Sequence, residues 1–105
     1  MSQPYATRQP ERSDIDATHG VVALEFGTDW CGFCREAAAH IDAAIADSPN
    51  LQHLKVEDGS GRPLGRSFRV KLWPTLIVLR DGKEVARVVR PADADKVRAA
   101  LSQAG

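Results

Sequence analysis

Thr75-Leu76-Ile77-Val78-Leu79-Arg80 and Lys83-Glu84-Val85-Ala86-Arg87-Val88-Val89 are β-prone runs separated only by Asp81-Gly82. Aspartate followed by glycine supplies the positive φ angles of a tight primed turn, so the two runs are expected to fold back on each other as an antiparallel hairpin. Upstream, Val21-Val22-Ala23-Leu24-Glu25-Phe26 is a six-residue apolar run broken by a single acid. That is the pattern of a strand buried on both faces, and a carboxylate inside it is anomalous.

Between these β segments lies an alanine-rich stretch from Cys31 or Gly32 to Asp47. Ala37, Ile41, Ala44 and Ile45 recur on one helical face, while Arg35, Glu36, His40 and Asp47 point elsewhere. Ser48-Pro49-Asn50 should end this helix, because proline disfavours helical geometry in the residue before it. Leu51 to Glu57 reads as a strand, Asp58-Gly59-Ser60-Gly61 as a loop, and Arg62 to Arg69 as a short helix. A last helix is expected from Ala92 to Gln103, with Val97, Ala100, Leu101 and Ala104 as its buried stripe and Pro91 and Asp93 near its start. Another short helix, Ser13 to Thr18, would be capped by Ser13 or Asp14 and stopped by Gly20. Residues 1–12 mix Pro4, Pro10 and polar side chains with little apolar content and read as a mobile or loosely docked tail, leaving 13–105 as the domain. Strands alternating with helices and then an antiparallel pair imply an α/β fold, one mixed sheet covered by helices on both faces.

At 105 residues there is room for one core and not two. Fourteen basic residues balance fourteen acidic ones, so no net field is available to hold nucleic acid or an anionic membrane surface. The first twenty residues hold no apolar run of signal-peptide length, and no stretch approaches 18 apolar residues, so the chain reads as intracellular.

Only two cysteines are present, Cys31 and Cys34, bracketing Gly32 and Phe33 at the junction between the buried strand's loop and the long helix. Three residues apart, they cannot staple distant parts of a fold, so any bond between them serves chemistry. Cys31 falls where unpaired N–H groups and the positive end of the helix dipole favour a thiolate; Cys34, one turn further in, should be shielded. An exposed nucleophile beside a shielded partner is what two-step thiol–disulfide exchange requires. The same spacing also occurs in zinc knuckles, but zinc needs four ligands. No second cysteine pair exists, and His19, His40 and His53 read as surface or boundary residues, so no metal is expected.

Trp30-Cys31-Gly32-Phe33-Cys34 after an apolar strand, followed by Trp73-Pro74-Thr75 opening another strand and by the Asp81-Gly82 hairpin, resembles the thioredoxin superfamily over residues 13–104. The resemblance implies the thioredoxin fold, with Cys31 as nucleophile and Cys34 as resolving thiol in a redox-active Cys31–Cys34 disulfide that needs no cofactor. It also implies a cis Trp73–Pro74 bond facing the cysteines, where the Trp73 backbone would pair with an extended substrate strand. Trp30, Gly32, Phe33, Trp73 and Pro74 would then form the substrate surface. Glu25, six residues before Cys31, stands where thioredoxins keep a buried acid, usually aspartate. Desolvation would raise its pKa and let it exchange a proton with Cys34.

Three residues or segments depart from the family pattern. Phe33 replaces a usual proline, no proline interrupts Ala38-Ala39-His40, and Trp73 is bulkier than the residue common before the cis proline. A 30 mV change corresponds to about 1.4 kcal/mol for a two-electron couple, so Phe33 alone could turn a reductase into a milder oxidant. The expected activity is reduction of protein disulfides in the cytoplasm by a monomer recycled by a separate reductase. An oxidant or isomerase tuned by Phe33, and a non-catalytic binding or chaperone module, are the alternatives.

Overall fold

A computed structural model describes residues 3–105. Its elements run α1 (Arg12–Asp16), β1 (Val21–Gly27), α2 (Gly32–Ala46), β2 (Gln52–Glu57), α3 (Pro63–Ser67), β3 (Thr75–Arg80), β4 (Lys83–Val89) and α4 (Ala94–Ser102). The four strands form one sheet in the order β2-β1-β3-β4. β1 lies parallel to β2 and antiparallel to β3, and β3 pairs antiparallel with β4, so the sheet is mixed as the element order implied.

Period-two alternation along β1 divides its side chains between two cores. Val22, Leu24 and Phe26 join Ile15 of α1, Leu64 of α3 and Phe68 on one face. Ala23 faces the other way, with Leu76 and Val78, onto Ala37, Ile41 and Ala44 of α2 and Val97, Ala100 and Leu101 of α4. Both expected helical stripes are therefore core stripes, except that Ile45 is only partly buried. Glu25 and Gly27 share the α2-facing side of β1 with Ala23, which puts the anomalous carboxylate beneath the helix that carries the cysteines.

Local chemistry explains the element ends. Asp93 caps α4 by accepting the Lys96 N–H at 2.9 Å. At the hairpin both Asp81 (φ 50°) and Gly82 (φ 80°) are left-handed, as a type I′ turn requires, and a β-carbon on Gly82 would run into the Asp16 backbone. The turn is further pinned by Asp81, whose carboxylate accepts the Gly20 N–H at 2.8 Å.

Two expectations are corrected here. α1 begins at Arg12, with Glu11 as N-cap in a reciprocal capping box with Asp14, rather than at Ser13. Residues 3–10, expected to be mobile or loosely docked, are held in place: Ala6 bridges Val56 at the outer edge of β2, donating to the Lys55 carbonyl at 2.8 Å and accepting from the Glu57 N–H at 2.9 Å. Gln9 accepts the Leu64 N–H at 2.8 Å, and Tyr5 is only 5 % exposed. The segment satisfies backbone groups that an edge strand otherwise leaves open, and a single aromatic anchors it, which an averaged composition does not register.

Candidate active site

Cys31 is the N-cap of α2, with extended backbone (φ −80°, ψ 121°), and its Sγ accepts the Cys34 N–H at 3.3 Å. The sulfur thus takes the role an aspartate or serine oxygen plays at other helix starts, at the positive end of the helix dipole. Both thiols are free. Both residues are buried, Cys31 at 8 % exposure and Cys34 at 2 %, so the exposed nucleophile expected at Cys31 is corrected to one that is only the less deeply buried of the pair. The cover comes from Tyr5 and Trp73, which pack with the two sulfurs in one small apolar cluster. Burial, followed by the hydrogen bond with Cys31, pushes the Cys34 thiol up to about 11, so it holds its proton at neutral pH.

The aromatic surface around this pair is exposed where the sulfurs are not. Trp30 and Phe33 lie mostly in solvent, and Trp30 meets Trp73 edge to face at a centroid distance of 5.8 Å. Gly32 is open, with nothing near where a β-carbon would stand. Trp73 anchors its indole N–H on Asp58 at 2.9 Å and is joined to Pro74 by a cis bond. Pro74 is buried and leads directly into β3. Arg90, just past β4, lays its guanidinium 3.8 Å over the Phe33 ring and donates from Nε to the Trp73 carbonyl at 2.7 Å. The Trp73 backbone, expected to pair with a substrate strand, thus already has an internal partner at its carbonyl.

Glu25 is 1 % exposed and has two partners: Oε2 accepts the Tyr5 hydroxyl, and Oε1 stands 2.8 Å from Nε2 of His53. Lys55, its register neighbour in β2, turns its ammonium to the Gln3 carbonyl and over the Tyr5 ring. A β-carbon on Gly27 would stand 2.6 Å from Cys34 Sγ and 2.7 Å from the Tyr5 oxygen, so the bare glycine is what admits both to the same space. Beside them a cavity of about 240 Å³ is lined by Tyr5, Thr28, Asp29, Cys34, Arg35 and Lys55, and the buried Thr28 hydroxyl has no partner among the described residues.

The structure therefore brings Glu25, Cys31, Cys34 and Trp73 together and ranges Trp30, Gly32 and Phe33 around them. Tyr5, His53 and Arg90 were not foreseen. His53 had a legible signal, since it is two residues from Lys55 in a strand and so shares the face that Lys55 and Glu25 occupy; Tyr5 had none beyond being the chain's sole tyrosine. Among the described residues, no group of three or more His, Cys, Asp and Glu side chains could hold a metal ion, and no helix is long and apolar enough to cross a membrane.

Comparison with known proteins agrees with this geometry. The Thioredoxin family model matches residues 6–103. The chain belongs to the thioredoxin family. It is 38 % identical over 85 residues to thioredoxin of Chlamydia trachomatis, covering 80 % of this chain and 82 % of that one. Thioredoxin 2 of Pseudomonas aeruginosa, solved in its reduced form, superposes with a TM-score of 0.89 at 51 % identity, covering 100 % of this chain and 98 % of the other. Fasciola hepatica thioredoxin superposes at 0.71 with 26 % identity over 86 % of each chain. Membership makes the protein a thiol–disulfide oxidoreductase, and the non-catalytic and oxidant alternatives are not favoured. The family acts on disulfide substrates and is recycled by a reductase.

Proposed function

We propose that this thioredoxin-family chain reduces protein disulfides, with Cys31 as attacking and Cys34 as resolving thiol. The Cys31 thiolate attacks one substrate sulfur; the substrate S–S bond breaks, the first substrate thiolate leaves and takes a proton, and Cys31 is left in a mixed disulfide. Cys34 then gives up its proton to Glu25 and attacks Cys31 Sγ. The mixed disulfide breaks, the second substrate thiolate leaves, and the substrate has gained the two electrons that the Cys31–Cys34 pair lost. A separate dithiol-regenerating reductase returns the electrons. The observation that carries this reading is the inequality of the two sulfurs. Cys31 is the more accessible and is held at a helix start by an N–H that would stabilise its anion, while Cys34 is buried with its thiol pushed up to about 11.

Trp30, Gly32, Phe33, Trp73 and Pro74 are assigned to substrate contact, supported by the exposed aromatics next to the sulfurs and by Trp73 packing on them. Action as a monomer is part of this proposal. A working cysteine pair fits the reducing cytoplasm, where structural disulfides are rare, and the redox couple is the dithiol itself, without a cofactor.

Insulin reduction tests the assignment. Cys31→Ser should abolish turnover, and Cys34→Ser should leave a stable mixed disulfide with the substrate. Turnover surviving Cys31→Ser would overturn the reading.

A further inference from the structure

Cys34 must lose a firmly held proton before it can resolve the mixed disulfide, and Glu25 is the buried base in reach of that region. What fills the space between them is the phenol of Tyr5. Its hydroxyl donates to Glu25 Oε2, and its oxygen and Cys34 Sγ both crowd the point where a Gly27 side chain would begin. Tyr5 is packed in the same small cluster as both sulfurs. The other oxygen of Glu25 lies 2.8 Å from His53 Nε2; with the proton on that nitrogen, Oε1 is occupied, and Oε2, the one facing Tyr5, is left to receive.

We propose that Tyr5 relays the proton between Cys34 and Glu25, with His53 as the residue that orients the carboxylate. This rests on the base role given to Glu25 above. As Cys34 attacks, its S–H bond breaks and a new O–H bond forms on Tyr5. The proton Tyr5 already carried passes to Glu25 Oε2, and the carboxylate becomes a carboxylic acid. Proton number and charge balance without any further reactant. Burial and the neighbouring Glu25 charge raise the Tyr5 phenol above its ordinary range, so a free phenolate is disfavoured and the two transfers must occur together. The charged groups facing the relay are the Lys55 ammonium over the Tyr5 ring, the Asp29 carboxylate that accepts the Tyr5 N–H at 3.0 Å, and Arg35 at the edge of the adjoining cavity. That cavity offers the rival route, a water taking the Cys34 proton directly.

An aromatic disulfide probe, dithiobis-nitrobenzoate, reads both steps by rapid mixing: attack by Cys31 releases one coloured thiolate, and resolution by Cys34 releases the second. Tyr5→Phe keeps the ring and removes the relay atom. It should leave the first release within about twofold of wild type and slow the second about a hundredfold, the lower end of what positioned proton transfer contributes. Glu25→Gln should slow the second release similarly, and the double variant should be no slower than the slower single. In mixtures of light and heavy water the wild-type second step should show two protons in flight and Tyr5→Phe should not, a difference that loss of packing alone would not produce. Four results would each overturn the relay. A normal second release in Tyr5→Phe beside a slow one in Glu25→Gln would assign the transfer to cavity water and leave the base role of Glu25 standing. Equal slowing of both releases would make Tyr5 a structural residue. Failure of the wild type to show two protons in flight would remove the coupled transfer. Normal second releases in both single variants would remove the base role of Glu25 itself.

Discussion

Gly27→Ala adds one carbon and should have consequences well beyond its size. The new β-carbon would stand 2.6 Å from Cys34 Sγ, 2.7 Å from the Tyr5 oxygen and 2.8 Å from its ring carbon, all closer than real contacts allow. Cys34 is fixed in the first turn of α2, whereas Tyr5 lies on an edge segment joined to β2 by a single bridge, so Tyr5 should yield. Overpacking of this kind costs about 1–3 kcal/mol. Withdrawing the phenol from the Glu25 carboxylate removes a hydrogen bond to a charged group, about 1.5–3 kcal/mol. The loss of unfolded-state freedom on replacing glycine returns about 0.4–1 kcal/mol, since Gly27 has an ordinary negative φ. A net destabilisation of about 1.5–5.5 kcal/mol follows, which for a chain this size lowers the melting temperature by about 6–22 °C. Thermal unfolding of Gly27→Ala, Tyr5→Ala and the double variant closes a cycle. If the clash is with Tyr5, the double variant should be more stable than the two separate losses combined would make it. A melting temperature for Gly27→Ala within about 2 °C of wild type, or strict additivity in the cycle, would refute the placement of Tyr5 against Cys34 and Gly27.

Removing residues 1–10 should lower the melting temperature by a comparable amount, because Tyr5, the Ala6 bridge and the Gln9 contacts go together; an unchanged melting curve would restore the reading of this segment as a tail. With its thiol pushed up to about 11 from an ordinary 9, Cys34 in the reduced protein should be about a hundredfold less ionised at pH 8 than a free thiol, and alkylation followed by mass spectrometry should find it correspondingly slow. The raised value also fixes a sign: the fold favours the neutral thiol, so this group's contribution to stability is fully present below about pH 9 and is lost as the pH climbs through about 11. Arg90→Ala should lower KM for a protein disulfide about three- to tenfold with kcat little changed, since an incoming strand would no longer have to displace Arg90 from the Trp73 carbonyl; a raised KM would make Arg90 a substrate contact instead.

What was legible in the sequence is what short-range chemistry determines. Asp81-Gly82 specifies a left-handed pair at adjacent positions, and the hairpin follows with the bounds expected for both strands. Pro49 stops α2 near the expected place, and the spacing of Cys31 and Cys34 on the first turn already makes the two thiols unequal. The alternation of β1 even places Glu25 on the side of Gly27, under α2, once one face is known to hold Val22, Leu24 and Phe26. What was not legible is what pairing across the chain decides. Tyr5 reaches Glu25 across a separation of twenty positions because residues 3–10 add themselves to the edge of β2, and nothing in Gln3-Pro4-Tyr5-Ala6 has the length or period of a strand. His53 and Lys55 present the same polar face of β2, and the register sets Lys55 opposite Glu25, yet the imidazole and not the ammonium bonds the carboxylate, because Lys55 turns to the Gln3 carbonyl. Arg90 holds a left-handed φ of 48° that no neighbouring glycine or asparagine announces.

The same division runs through the chemistry. The first step of exchange depends on groups within a few residues of one another: the start of α2, the Cys34 N–H and the Cys31 sulfur it meets. In the proposed mechanism the second depends on groups brought in from β1, β2 and the amino-terminal segment, namely Glu25, His53 and Tyr5. Local structure is hard to disturb without unfolding the helix, whereas an edge segment opens at lower free energy than the core to which it docks. Conditions that loosen residues 3–10 while leaving the sheet intact, such as mild denaturant below the main unfolding transition, should therefore slow resolution of the mixed disulfide before they slow its formation. Both rates falling together along the denaturant series would mean that the base assembly is as deeply anchored as the thiols, and the edge position of Tyr5 would then carry no kinetic weight.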